Sequence, residues 1–137
     1  MHRIIAIDYG LKRIGLAVSD PSQTIAGGLT TVAPNEVFAF LENYFLNNLV
    51  EKFVIGLPKQ MNGTDSETAP QIRKFAETLQ KRFPETEIVF FDERFTSVLA
   101  HRAMLEGGLR QKARRNKALV DKISATIILQ EYLESKR

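Results

Sequence analysis

Apolar residues along this chain follow two rhythms, and the switches between them divide it into strands and helices. Ile4-Ile5-Ala6-Ile7 is a nearly continuous apolar run, as expected of a central strand covered on both faces, and it stops abruptly at Asp8-Tyr9-Gly10. After Leu11-Lys12-Arg13 comes a second β-rich run, Ile14-Gly15-Leu16-Ala17-Val18, and beyond Ser19 to Ala26 a third, Gly27 to Val32. The short links predict an antiparallel meander. Pro34-Asn35 then opens a predicted helix in which Val37, Phe38, Leu41, Tyr44, Phe45 and Leu49 share one apolar face, and Phe53-Val54-Ile55-Gly56 follows as a fourth strand. Strand, crossover helix and strand imply parallel pairing, so the sheet turns from antiparallel to parallel part-way along the chain.

A loop from Leu57 to Gly63 leads to a second helix with Ile72, Phe75, Ala76 and Leu79 on one face. Thr64-x-x-Glu67 has the form of a capping box, but that start would put Pro70 where a helical N–H is needed, so Thr68 is the alternative cap. Past Pro84, Ile88-Val89-Phe90-Phe91 forms a fifth strand ending at Asp92-Glu93-Arg94. Thr96 or Ser97 can cap a short helix through Met104, closed by Gly107-Gly108, and a last helix runs from about Ala118 to about Glu134. The expected fold class is α/β: a five-stranded mixed sheet, three antiparallel strands then two parallel, flanked by helices. With no repeat or linker composition in its 137 residues, the chain reads as a single domain over 1–137.

Composition narrows the chemistry. The chain has no cysteine, which excludes disulfides, thiolate zinc sites and a Cys nucleophile. It shows neither a signal-peptide pattern nor 18 consecutive apolar residues, so no membrane association and a cytoplasmic location are expected. A net charge of +3 is only a weak pointer to an anionic partner, but five of the eight residues from Arg110 to Lys117 are basic and none is acidic. A solvated loop would also account for that run.

Acids from three elements stand where ligands gather in an open α/β sheet, outside the carboxyl ends of strands: Asp8 at one strand end, Asp92-Glu93 at another, and Asp121 at the head of the helix stripe Asp121, Ser124, Ala125, Ile128, Tyr132. Small residues at 124 and 125 would let that helix approach the sheet closely. Two carboxylates about 4 Å apart repel by roughly 4 kcal/mol at an effective dielectric near 20, so three ionised together demand a cation. Magnesium suits hard oxygen ligands and completes its octahedron with water and phosphate, which is the arrangement of metal-assisted phosphodiester hydrolysis; manganese is the alternative ion. An Asp after a strand is equally a turn residue or helix cap, so the residues alone leave a structural role open for each acid. His2 and His101 have no sequence-level partner for base catalysis and read as surface or structural residues. Asp20 and Asp92 fit turns and strand ends as well as they fit a fourth carboxylate.

Asp8-Tyr9-Gly10 with Arg13-Ile14-Gly15-Leu16-Ala17-Val18-Ser19-Asp20, then Gly56-Leu57-Pro58 with Asn62-Gly63-Thr64, Asp92-Glu93-Arg94-Phe95-Thr96, and Asp121-Lys122-Ile123-Ser124-Ala125 through Ile128-Leu129-Gln130 resemble, in order and spacing, the blocks of the bacterial YqgF family. The resemblance covers essentially the whole chain. It implies an RNase H-like fold and a nuclease that matures the 5′ end of precursor 16S ribosomal RNA, in a family also described as Holliday junction resolvases. It places the metal-binding, catalytic acids at Asp8, Glu93 and Asp121. Phe95 and Ser97 depart from residues common in the family without touching these positions.

Around the acids, Gly10 would let a phosphate come close to the backbone, and Lys12, Arg13 and Arg94 are placed to meet anionic oxygens, a salt bridge being the competing role for Arg94. Arg110, Lys112, Arg114, Arg115 and Lys117 then become candidate phosphate contacts whose affinity should fall as salt rises. The loop from Gly56 to Thr64 either borders the nucleic-acid groove or is a tight turn. Precursor ribosomal RNA, or the ribosomal subunit precursor carrying it, is the expected partner ahead of branched DNA, and the protein is expected to be a monomer or weak homodimer. Two rivals remain at this level. An ATP-dependent enzyme of the same broad fold would need a second domain and finds no Walker-type loop here, whereas a non-catalytic RNA-binding assembly factor would need only the basic loop.

Overall fold

The computed structural model describes residues 2–58, 67–93 and 117–136. Its strands are β1 (Arg3–Tyr9), β2 (Ile14–Ser19), β3 (Ala26–Val32), β4 (Val50–Leu57) and β5 (Glu87–Asp92); its helices are α1 (Val37–Phe45), α2 (Ala69–Arg82) and α3 (Lys117–Ser135). The strands form one sheet in the order β3-β2-β1-β4-β5. β1–β2 and β2–β3 pair antiparallel, while β1–β4 and β4–β5 pair parallel, so the direction changes as the crossover through α1 predicts.

The unbroken apolar run of β1 is explained by two separate cores. Ile5 and Ile7 point to the face covered by α1 and α2, where they meet Leu41, Phe53, Ile55, Ile72 and Leu79. Ile4 and Ala6 point to the other face, where Ala17 and Val54 receive Ala125, Ile128, Leu129 and Leu133 of α3. Alternation at period two thus feeds both layers from one strand, and a central strand reads as wholly apolar. At its carboxyl end Tyr9 packs its ring, tilted, against Phe75 of α2, with ring centroids 4.8 Å apart, which anchors the strand end to that helix.

Element bounds differ from the sequence expectation most at the end of α1. α1 starts at Val37 and ends at Phe45, and Leu49 lies outside it, two-thirds exposed. Its last turn tightens as Leu46 donates to the Asn43 carbonyl and Asn47 to that of Tyr44, after which the chain must extend early: Arg3 N–H donates to Leu49 O at 2.8 Å, and β4 begins at Val50 opposite Arg3. Pairing with β1 therefore overrides the helical spacing at position 49. For α2 the alternative start holds: Thr68 takes the N-cap position, with Pro70 in the first turn, where the missing N–H costs nothing. Thr64, the short helix expected from 96 or 97 to 104, and the loop from 110 to 116 lie outside the described residues. Among the described residues no helix is long and apolar enough to cross a membrane.

Candidate active site

The site grows from the alternation of β1. Asp8 shares its parity with Ile4 and Ala6, so it belongs to the α3 face of the sheet, at the carboxyl end of the strand. Its partner on β2 is Gly15. On the other side β4 runs parallel with Ile7 opposite Ile55, so Gly56 stands beside Asp8 one residue further on. Gly15, Asp8 and Gly56 therefore form a row across three strands, about 10 Å from end to end at the usual strand spacing.

Each glycine makes room for another acid. A Cβ on Gly15 would lie 2.5 Å from the carbonyl carbon of Asp121 and closer still to its oxygen, so the backbone of α3 rests directly on β2 at this position. A Cβ on Gly56 would lie 3.0 Å from Glu93 Oε1 and 2.6 Å from Ile128 Cδ1. Glu93, one residue past β5, is only 1% exposed, so its carboxylate is packed between β4 and α3. A Gly within a strand marks a close approach by another group, and here two such approaches bring Asp121 and Glu93 to either side of Asp8. Ser124, at 1%, and Ala125, at 0%, continue the narrow seam between helix and sheet, as their size predicts.

Electrostatically, Asp121 is held by a cation from the neighbouring turn. Arg13 Nε donates to Asp121 Oδ2 at 2.6 Å, across 108 residues of sequence. Gly10 shapes this turn, since a Cβ there would meet the Arg13 carbonyl oxygen at 2.6 Å; its structural duty is thus local closure, which positions Arg13. Lys12 is exposed on the same turn. With Asp121 drawn toward Arg13, no three His, Cys, Asp or Glu side chains among the described residues enclose a common point as a metal site would. Asp8, Glu93 and Asp121 nonetheless offer only carboxylate oxygens, a set that would suit a hard divalent cation.

The remaining candidates separate clearly. Asp92 has opposite parity to Phe91 and Glu93, so it belongs to the α1/α2 face. Asp20 lies beyond the other end of β2 and closes the β2–β3 hairpin, accepting from the backbone of Thr24 at 2.8 Å and of Ile25 at 2.9 Å, and from the Ser22 hydroxyl. Those donors, Ile25 N–H foremost, then Ser22 and Thr24, hold its carboxyl well below the usual carboxylate range. His2 is exposed at that same far end, its carbonyl accepting from Gln23. Arg94, Arg110, Lys112, Arg114, Arg115 and His101 lie outside the described residues, and Lys117 is described only as the first residue of α3. Sequence reasoning did not assign a role to Gly15, read Gly56 as the end of a strand and the start of a loop where it lies within β4, and did not pair Arg13 with Asp121; the signal for both glycines was a glycine beside or inside a strand pattern.

Comparison with known proteins agrees with this architecture. The chain is 61% identical over 137 residues to a protein of Bacteroides thetaiotaomicron, spanning 100% of this chain and 99% of the relative, and 53% identical over 136 residues to one of Flavobacterium psychrophilum, spanning 99% of both. Both relatives carry the name "Putative pre-16S rRNA nuclease". Among solved structures it is similar to Thermus thermophilus RuvC in complex with Holliday junction substrate, with a TM-score of 0.52 at 15% identity, covering 99% of this chain and 96% of that one. A likeness at that identity speaks for the fold, which is the RNase H-like mixed sheet of RuvC. The model of the RuvX family, described as Holliday junction resolvase, matches residues 2–135, and with relatives this similar from end to end the chain belongs to the RuvX (YqgF) family and is a nuclease that hydrolyses phosphodiester bonds.

Proposed function

We propose that the chain cleaves precursor 16S ribosomal RNA in the maturation of its 5′ end, in the cytoplasm, with Asp8, Glu93 and Asp121 as the residues that hold Mg²⁺, or Mn²⁺ in its place. The observation that supports the reading is the Gly15–Asp8–Gly56 row, where the backbone of Asp121 packs on Gly15 and the carboxylate of Glu93 on Gly56. When bound, such an ion activates water and neutralises charge on the leaving oxygen. The protein's part is to fix the three carboxylates on a rigid sheet and a closely packed helix, with Glu93 screened from water so that its charge acts in a low-dielectric setting. Lys12 and Arg13 line the turn beside the acids and meet the phosphate backbone. Arg94, Arg110, Lys112, Arg114, Arg115 and Lys117, basic residues of the sequence, are the further phosphate contacts this reading proposes. Relatives named for pre-16S ribosomal RNA support RNA as the substrate, and the family's description supports a second reading, resolution of four-way DNA junctions.

The test is cleavage of a labelled precursor 16S fragment and of a four-way DNA junction by purified protein, with Mg²⁺ or with EDTA. We expect metal-dependent cutting of the RNA. Asp8→Asn, Glu93→Gln and Asp121→Asn should each lose more than about a hundredfold in rate, beyond the 10–100-fold typical of disturbing a residue that only supports a metal ligand. Metal-dependent cutting of the junction alone would transfer the assignment to branched DNA. RNA binding with no cutting under any metal would leave an assembly factor.

A further inference from the structure

The contact between Arg13 and Asp121 joins the two halves of the proposed chemistry, one residue assigned to phosphate and one to metal. Asp121 cannot retreat from its position, because the α3 backbone that carries it rests on Gly15. The backbone of Arg13 is likewise fixed, because the β1–β2 turn is closed tightly enough that Gly10 has no space for a Cβ. The ion pair at 2.6 Å is therefore built in by two backbone constraints and is no accident of two long surface side chains. Its side chains are 36% and 21% exposed, so solvent screens it only partly.

We propose that Arg13 is the resident counter-charge of Asp121 when no metal is bound, and that a divalent cation and Arg13 compete for that carboxylate. The inference rests on the reading of Asp121 as a metal ligand. A guanidinium already occupies the field of the carboxylate, and a doubly charged ion brought to the same group meets a like charge a few ångströms away, so binding must drive Arg13 off or weaken its hold. Released, the guanidinium swings on its own turn toward the groove where a phosphate would lie, and its planar fork suits phosphate as well as carboxylate. Metal loading thereby frees a phosphate-binding residue, and phosphate contact in turn removes the competitor of the metal. The two ligands of the nuclease are coupled through one positioning residue, and the coupling is reciprocal.

The competition is measured without turnover, by titrating Mn²⁺ into the full-length protein by calorimetry at fixed ionic strength and in the absence of nucleic acid. Arg13→Gln should bind Mn²⁺ about fivefold more tightly than wild type, the value of a partly screened ion pair, while its metal-free melting temperature falls. Arg13→Lys, which keeps the charge but loses the fork, should lie between the two. In an Asp121→Asn background metal binding should be weak, and Arg13→Gln should no longer improve it. A role that only orients Asp121 would give the opposite sign, with Arg13→Gln binding metal more weakly. That result, or an unchanged affinity, in a protein whose Asp121→Asn variant has lost metal binding overturns the competition and leaves the metal assignment standing. Unaltered metal affinity in Asp121→Asn overturns both.

Discussion

Replacing Gly15 by Ala tests the central geometrical feature of the site with a single methyl group. The added Cβ would sit 2.5 Å from the Asp121 carbonyl carbon and 3.1 Å from Lys122 N, against about 3.5–4.0 Å for relaxed contacts, so α3 must lift from the sheet by roughly 1 Å at this point. The obstacle is backbone, which no rotamer change can relieve. Overpacking of this kind costs about 1–3 kcal/mol, and the lower unfolded-state entropy of Ala returns about 0.4–1 kcal/mol, leaving a net loss of about 1.3 kcal/mol. For a chain of 137 residues that is a fall of roughly 4–5 °C in Tm. The effect on catalysis should be larger, because a 1 Å displacement of a catalytic group costs about a hundredfold, and it is Asp121 that moves. Gly27→Ala is the control: its Cβ would find only the Val18 carbonyl oxygen at 3.9 Å, so stability and cleavage should both hold. Thermal unfolding and metal-dependent cleavage of the RNA precursor, measured on the two variants, decide the matter. A Gly15→Ala protein with Tm within about 2 °C and cleavage within about twofold of wild type would refute the close approach of α3 and the role assigned to it.

Gly56→Ala should separate stability from activity: Ile128 Cδ1, at 2.6 Å from the added Cβ, is the movable end of a side chain, but Glu93 Oε1 at 3.0 Å belongs to the site, so we expect a loss near 1 kcal/mol in urea unfolding beside a tenfold or greater fall, in round terms about 10–100-fold, in cleavage. Asp20→Asn should flatten the acid limb of the stability profile. The folded carboxyl is held below its ordinary value, so its contribution is complete above the unfolded carboxylate pKa, about 3.9, and disappears as pH falls from there through the folded value. Tm followed from pH 7 down to 2.5 should therefore show wild type and variant converging only below about pH 4, and a gap that widens in acid would contradict the assignment.

How much of this was legible beforehand follows from which interactions are local in sequence. The strands and helices are encoded at spacings of two and three to four residues, and the two cores are visible in β1 because each parity of Ile4 to Ile7 finds its own layer. Leu49 misled because its helical spacing is satisfied up to Phe45 and then overruled by a bond from Arg3, 46 positions away, to the backbone of Leu49 itself. Candidate acids could be named from their places at strand ends and on a helix stripe, and the family blocks point to Asp8, Glu93 and Asp121 among them. What the spacing could not carry was register. Only the pairing of Asp8 with Gly15, and of Ile7 with Ile55, makes the two glycines flank one acid, and register is a relation between strands that no single stretch contains.

The same reasoning gives the glycines a meaning beyond turns. Among the described residues, Gly15 and Gly56 are both fully buried in strands, and what fills the space their side chains would take is, in one case, the backbone that bears Asp121 and, in the other, the carboxylate of Glu93. A sheet can bring carboxylates near one another only if something keeps ordinary side chains from standing between them. Strand-end acids are delivered by β1 and the segment after β5, and the helix that bears Asp121 lies close on β2 where Gly15 leaves the strand without a side chain. Substituting the acids removes donors and leaves this frame intact, whereas substituting the glycines moves the donors and leaves their chemistry unchanged. A metal site assembled by close packing must fail both ways, and a cluster of acids gathered at a sheet end for solubility or capping would fail in neither.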